Sequence, residues 1–261
     1  LFGDMWKFGI GLPLTYAAIL LAALLGRVAV IAAALALCGL HFTLDFRSAA
    51  GLCLLLAAGT ALQLLPARAR RFALPLGAAL AVLLVVLYAQ ARLPSDAHRR
   101  SRSDIERSAM MTAAWEAFVD SPLLGHGSWF SRSNVYENFL MIRAEAAHEA
   151  HIGGFAGPND ATADESAFHS QILVALAEGG LFGGAFFFAF GVGLVRALHR
   201  LVFTVRWRRS DPAAMFYLLS AAWNLVMSPF SGAHRVYIAT SVGLILLVQS
   251  DASRAAKEAT P

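Results

Sequence analysis

The chain has 261 residues, of which 58% are hydrophobic and 15% charged, with a mean hydropathy of +0.60. A soluble domain of this length carries more charge and fewer unbroken apolar runs, so the composition reads as that of an integral membrane protein. The net charge of +4 and pI of 9.4 would allow a nucleic-acid partner. The basic residues, however, cluster in short turns between apolar runs, which is the pattern of topology signals.

From the N-terminus, about seven apolar segments approach the ~20 residues that a bilayer requires. They cover residues 8–25, 28–42, 49–65, 72–91, 170–198, 213–227 and 237–249. The second and seventh are short and call for tilting or local thinning of the bilayer. If the spans alternate, Arg27, the turn Arg68, Arg70 and Arg71, the turn Arg200, Arg206, Arg208 and Arg209, and finally Arg254 and Lys257 all fall on one side. By the positive-inside rule that side is the cytoplasm. The other side receives residues 1–7, 41–47, the long segment 92–168 and 228–235. The expected fold is therefore all-α and polytopic, with about seven transmembrane helices and one large periplasmic segment. Helices 1–4 occupy 1–91, the periplasmic segment 92–168, and helices 5–7 with a short cytoplasmic tail 169–261. Cys38 and Cys53 lie inside apolar runs, which argues against a disulfide framework or a metal site. The chain opens on Leu1 with no initiator Met and no visible cleavable signal, as expected of the C-terminal part of a longer protein.

Within the long segment, Ser103-Asp104-Ile105-Glu106 reads as a capping box opening a helix that ends near Asp120, shortly before Pro122. Met111, Ala114, Trp115 and Phe118 form an apolar stripe at helical spacing. Gly125-His126-Gly127 predicts a turn, 134–143 a second short helix, and 151–163 a loop over the site. Arg107 is in phase with Met111, Ala114 and Phe118, so it either snorkels to water or aims inward at an anion. Arg47 stands in a short outer turn, where arginine is normally avoided. Its position there points to an external anion, against the alternative of an interfacial anchor paired with Asp45.

His169-Ser170, nine residues, and then Gly180-Leu181-Phe182-Gly183 is the most informative stretch. It sets one imidazole at the mouth of the apolar run 171–195, on the same helical stripe as Leu173, Leu176, Gly180 and Gly183. Gly179, Gly180, Gly183 and Gly184 make overlapping small-xxx-small pairs, which predict a second helix packed closely beneath the histidine. By spacing alone an interfacial histidine above an ordinary helix seam fits equally well.

This stretch resembles the signature of bacterial O-antigen ligases, in which His followed by Asn, Ser or Gln precedes nine residues and Gly-x-x-Gly. These enzymes belong to the O-antigen ligase/polymerase superfamily of polytopic membrane glycosyltransferases. The family also has an Arg opening a helix that ends in a Pro-x-x-Gly-x-Gly turn, matched by Arg107 and Pro122-Leu123-Leu124-Gly125-His126-Gly127. Met111 stands where the family often has Trp, and Phe46 precedes Arg47 where the family often has Ser. The matches span roughly residues 47–190, and the chain is similar to the C-terminal portion of such a protein.

The resemblance implies an enzyme at the periplasmic face of the bacterial inner membrane. Its donor would be a glycan on undecaprenyl pyrophosphate, and its acceptor lipid A-core or another glycan. Arg47 and Arg107 would hold the pyrophosphate, and His169 would activate or orient the acceptor hydroxyl. The residue types suit those roles. A guanidinium stays charged and binds two oxygens at once, a leaving pyrophosphate needs charge stabilisation, and a neutral imidazole can take a proton near pH 7. No acidic cluster with metal-ligand spacing occurs, so the expectation is no metal and no cofactor, with arginine in place of Mg²⁺. Membrane lipids are expected partners and nucleic acid is not. Arg132, Arg143, His234 and Arg235 are further candidates for substrate contact, whereas Glu178 reads as a packing residue and His126, His148 and His151 as solvated. A polysaccharide polymerase and a protein O-oligosaccharyltransferase share the same features. A transporter or flippase is the non-enzymatic alternative, against which stand the large outer segment and the lack of detectable inverted repeats.

Overall fold

The structure, a computed structural model, describes residues 6, 10–44, 46–66, 69, 97–127, 134–149, 170–203, 208–227 and 234–258. Among these residues the regular elements are all α-helical: α1 Gly11–Leu25, α2 Arg27–Thr43, α3 Arg47–Leu62, α4 Ala97–Asp120, α5 Asn134–Glu149, α6 Gln171–Phe203, α7 Asp211–Met227 and α8 His234–Glu258. Helices α1, α2, α3, α6, α7 and α8 coincide with expected apolar segments; the remaining one, 72–91, lies outside the described residues. By length and composition α6 is the one described helix able to cross a membrane. Shorter apolar helices occur at α1, α2, α3 and Ile238–Ser250.

The chain divides into two compact units, one of Leu1–Leu83, Gly193–Ala222 and Tyr237–Pro261, the other of Leu84–Val192 and Trp223–Val236. In the first, α1 packs on α2 and α2 on α3. In α1 small residues dominate the buried face: Gly11, Thr15, Ala22 and Ala23 are buried beside one large residue, Ile19, while Leu14, Leu21 and Leu25 face outward. Small residues at the seam let the backbones approach, and most large apolar ones are left for lipid. Buried hydroxyls are satisfied within their own helices: Thr15 Oγ1 donates to Gly11 O (2.7 Å), Thr60 to Leu56 O (2.8 Å) and Ser220 to Phe216 O (2.8 Å). Helix ends beside the basic turns meet in this unit. Arg27 Nη1 donates to Gln63 O (3.4 Å), Gln63 Nε2 to Leu201 O (2.6 Å) and Arg200 Nη1 to Gln249 O (3.2 Å).

In the second unit, α4, α5 and the start of α6 share a core of Ala109, Met110, Ala113, Ala114, Ala117, Phe139, Leu140 and Ala177. Three expectations change here. α4 begins at Ala97, so Ser103 lies inside the helix rather than at its start; 97–102 contains neither Gly nor Pro to prevent the earlier start. Of the expected stripe, Ala114 belongs to the buried face of α4, whereas Met111 and Trp115 are 58% and 55% exposed. The alanine-rich face is buried instead, because alanines let Phe139 and Leu140 of α5 come close. α5 continues to Glu149, beyond the expected 143.

Candidate active site

The turn Pro122–Gly127 and the glycine-rich stretch of α6 form one backbone interlock. α6 is broken at Gly180, whose φ of 56° and ψ of −148° are accessible to glycine and strained for other residues. A break of this kind leaves the carbonyls of the first half and the amides of the second without helical partners. The turn supplies those partners. His126 N donates to Ala177 O (2.9 Å), Gly127 N to Glu178 O (2.8 Å), and Leu181 N to Pro122 O (2.8 Å).

Glycine is required on both sides of this contact. A Cβ on Gly125 (φ 66°) would collide with the Glu178 carbonyl group, and one on Gly180 with that of Leu123. The turn is braced by Gly125 N donating to Ser121 O (3.0 Å) and Ser121 Oγ donating to Gly125 O (3.0 Å). The half-buried His126, expected to be solvated, donates from Nε2 to Ala117 O (2.9 Å) and so closes the last turn of α4. The expected helix seam is therefore a turn seated on a helix break. Gly179 has open space around its α-carbon, and Gly183 and Gly184 face Ala175 and Leu176 of the first half of α6.

The interlock ties together the two helices that carry motif residues. Both α4 and the first half of α6 enter it by their C-terminal ends and share a core through Ala177, Leu173 and Val174. Arg107 and Ser170 consequently lie on the same side of it, roughly 20 Å and roughly 14 Å back along their helices at 1.5 Å per residue. Ser170 caps α6: its Oγ accepts from Leu173 N (3.5 Å) and its carbonyl from Val174 N (3.0 Å). The serine of the His-Ser pair thus has a local structural task, opening the helix directly after His169. His169 itself lies outside the described residues, as does Arg132; Arg107, His234 and Arg235 fall within helices, with their side chains outside the description.

Arg47 belongs to the other unit, where it is exposed and is the first residue of α3. A helix N-terminus carries partial positive charge, so a guanidinium there adds to a field already favourable to anions. The chain before it is fixed by a buried network centred on His41, which the sequence reading passed over. Trp6 Nε1 donates to His41 Nδ1 (3.0 Å). The ring proton therefore sits on Nε2, which donates to Thr15 Oγ1 (2.8 Å), whose own hydrogen goes to Gly11 O. His41 O accepts from Phe46 N (2.8 Å), and the His41 and Phe46 rings meet edge-on with centroids 5.4 Å apart.

Arg143 is buried, with its guanidinium carbon 5.4 Å from the centroid of the Phe139 ring one turn earlier. That contact is a cation–π pairing within α5.

Outward-facing leucines and phenylalanines, and a helix long and apolar enough to cross a membrane that is broken against a glycine turn, fit a helical protein of the membrane-embedded class. A family model described as O-Antigen ligase matches residues 12–188, more than half of the chain. The chain belongs to the O-antigen ligase family, whose members are integral membrane proteins of glycosyltransferase type. No curated protein and no solved structure matches it. The matched stretch contains Arg47, Arg107, His169 and both sides of the interlock, and stops before His234 and Arg235.

Proposed function

We propose that the protein is an O-antigen ligase that transfers a glycan from undecaprenyl pyrophosphate to a hydroxyl of lipid A-core. The reaction takes place at the periplasmic face of the bacterial inner membrane. The observation that carries this reading is the interlock. Two motif segments of the family, far apart in sequence, are hydrogen-bonded into one unit that joins the Arg107 helix to the half-helix following His169.

In this reading seven spans cross the membrane, with helices 1–4 in 1–91, a periplasmic segment at 92–168 and helices 5–7 in 169–261. The contacts of Arg27, Gln63, Leu201, Arg200 and Gln249 support the sidedness, because they gather helix ends that the basic turns assign to the cytoplasm. Arg47 and Arg107 hold the donor pyrophosphate. The acceptor oxygen attacks the anomeric carbon as His169 takes its proton. The carbon–oxygen bond to pyrophosphate breaks with its electron pair, and undecaprenyl pyrophosphate leaves. One displacement inverts the anomeric centre, and the arginines, without a metal, carry the charge that develops. Arg132, His234 and Arg235 are secondary candidates for contact with the glycans.

The test is lipopolysaccharide banding in a deletion strain complemented with the full-length gene. Loss of the O-antigen ladder with accumulation of lipid-linked polymer is the expected result. Loss of the polymer itself would instead make the protein a polymerase, and an intact ladder would refute both.

In the same assay, Arg47→Lys and Arg107→Lys keep the charge and lose the planar fork. Each is expected to reduce transfer about ten- to hundredfold at unchanged expression, corresponding to roughly 1.5–3 kcal/mol per charge-assisted contact. Full activity in both variants would make the arginines interfacial anchors.

A further inference from the structure

Helix α4 has two apolar faces. One is buried against α5 and α6, as described above. The other is the stripe Met111, Trp115 and Val119, exposed and spaced four residues apart. At 3.6 residues per turn it stands roughly 180° around the helix from the buried alanines. Thr112, Glu116 and Asp120 separate the two faces on one flank, all three exposed, and Glu116 Oε2 accepts from Asn138 Nδ2 of α5 at 2.6 Å.

The stripe does not stop with the helix. In the turn that follows, Leu123 and Leu124 are also exposed, Leu124 by 74%. Pro122 O accepts from Leu181 N, the first residue of the second half of α6. That half opens with exposed Leu181 and with Phe182, 73% exposed, and belongs to the helix long and apolar enough to cross a membrane. One outward apolar surface therefore runs from the spanning helix through the turn and along α4.

A bilayer must cover the spanning part, so the adjoining apolar surface lies where hydrocarbon is already available. In water each Å² of it would cost about 25 cal/mol. Trp115 fits the boundary, with an apolar ring for acyl chains and an indole N–H for headgroups. We infer that α4 lies on the membrane surface as an interfacial helix, with Met111, Trp115, Val119 and the Leu123–Leu124 turn seated among phospholipid acyl chains. The polar flank with Glu116 faces water. The helix that carries Arg107 is then held at headgroup depth. This depends on the membrane character of the family and not on the transfer reaction.

Spin labels decide the matter in the full chain, reconstituted in phosphatidylethanolamine–phosphatidylglycerol nanodiscs with Cys38 and Cys53 replaced by alanine. Labels at Trp115→Cys and Val119→Cys are expected to collide more with oxygen than with a water-soluble nickel chelate, as a label at Phe186→Cys does. A label at Glu116→Cys should show the reverse preference. Nickel-dominated collision at 115 and 119 would put the stripe in water, and shielding from both reagents would mean that protein covers it; either result overturns the inference. A photoreactive benzoyl-phenylalanine in place of Val119 gives a second reading in native membranes, with both cysteines intact. Phospholipid adducts are expected, and protein adducts alone would overturn the inference.

Discussion

Gly180→Ala is expected to abolish most glycan transfer and to lower the thermal stability of the detergent-solubilised protein, whereas Gly179→Ala leaves both nearly unchanged. The two glycines are neighbours in one apolar stretch and differ only in what surrounds them. Gly180 has a positive φ with ψ near −148°, where an L-residue is strained by about 1–3 kcal/mol. Its added methyl group would also strike the backbone of Leu123, which cannot rotate away as a side chain could. Gly179 has nothing within 4 Å of the same methyl position. Gly125→Ala should behave like Gly180→Ala, because it meets the Glu178 carbonyl from the opposite side of the contact. The loss follows from the three backbone hydrogen bonds that a displaced turn would break, leaving polar groups unsatisfied beside the membrane. Transfer normalised to membrane protein level and a melting curve for each variant make the comparison. Equal behaviour of the alanine variants at 179 and 180 would mean that the helix is not broken there.

The positions of the helices were legible because most apolar runs are bounded by glycine, proline or arginine turns. Every expected span within the described residues coincides with a helix. The break in α6 was not legible. Glycines spaced for helix packing and a glycine required by a positive φ look identical in sequence, and only the docked turn distinguishes them. The two faces of α4 failed for a related reason. Alanines at 109, 113 and 117 and larger residues at 111, 115 and 118 both recur at helical spacing, with Ala114 common to the expected stripe and the buried face. Choosing the larger ones assumes that burial follows size, yet close approach of Phe139 selected the alanines.

Parts of the site were readable to different depths. The Pro-x-x-Gly-x-Gly and Gly-x-x-Gly segments were recognisable as patterns, but nothing in either indicates that the two touch. His126 looked solvated because its acceptor, Ala117 O, is a backbone atom nine residues away with no side-chain signature. His41 was hidden inside an apolar run. Its partners Trp6 and Thr15 lie 35 and 26 residues away, so local pattern could not reveal them. Arg143 and Phe139 are four residues apart on a helix, a spacing that does foretell contact.

His169→Ala is expected to lower transfer by about 10²- to 10⁴-fold while donor binding is largely retained, the effect of removing a general base. The expectation rests on the position of His169 directly before Ser170, whose hydroxyl and carbonyl start the first turn of α6. This helix is tied at its other end to the turn that ends the Arg107 helix. His169→Gln separates two roles that the alanine variant leaves mixed. Glutamine can offer a hydrogen bond but cannot take up a proton at neutral pH. A Gln variant as inactive as the Ala variant supports proton abstraction, whereas a nearly active one limits His169 to orienting the acceptor. Replacing Ser170 with alanine is the matching control for misplacement: loss of the cap costs about 1 kcal/mol, so its effect on transfer should be far smaller than that of His169→Ala. All three variants need to accumulate in the membrane at the wild-type level before rates are compared. If the Ala and Gln variants at 169 are both well expressed and fully active, the histidine is an interfacial residue and the ligase chemistry must be sought elsewhere on this face.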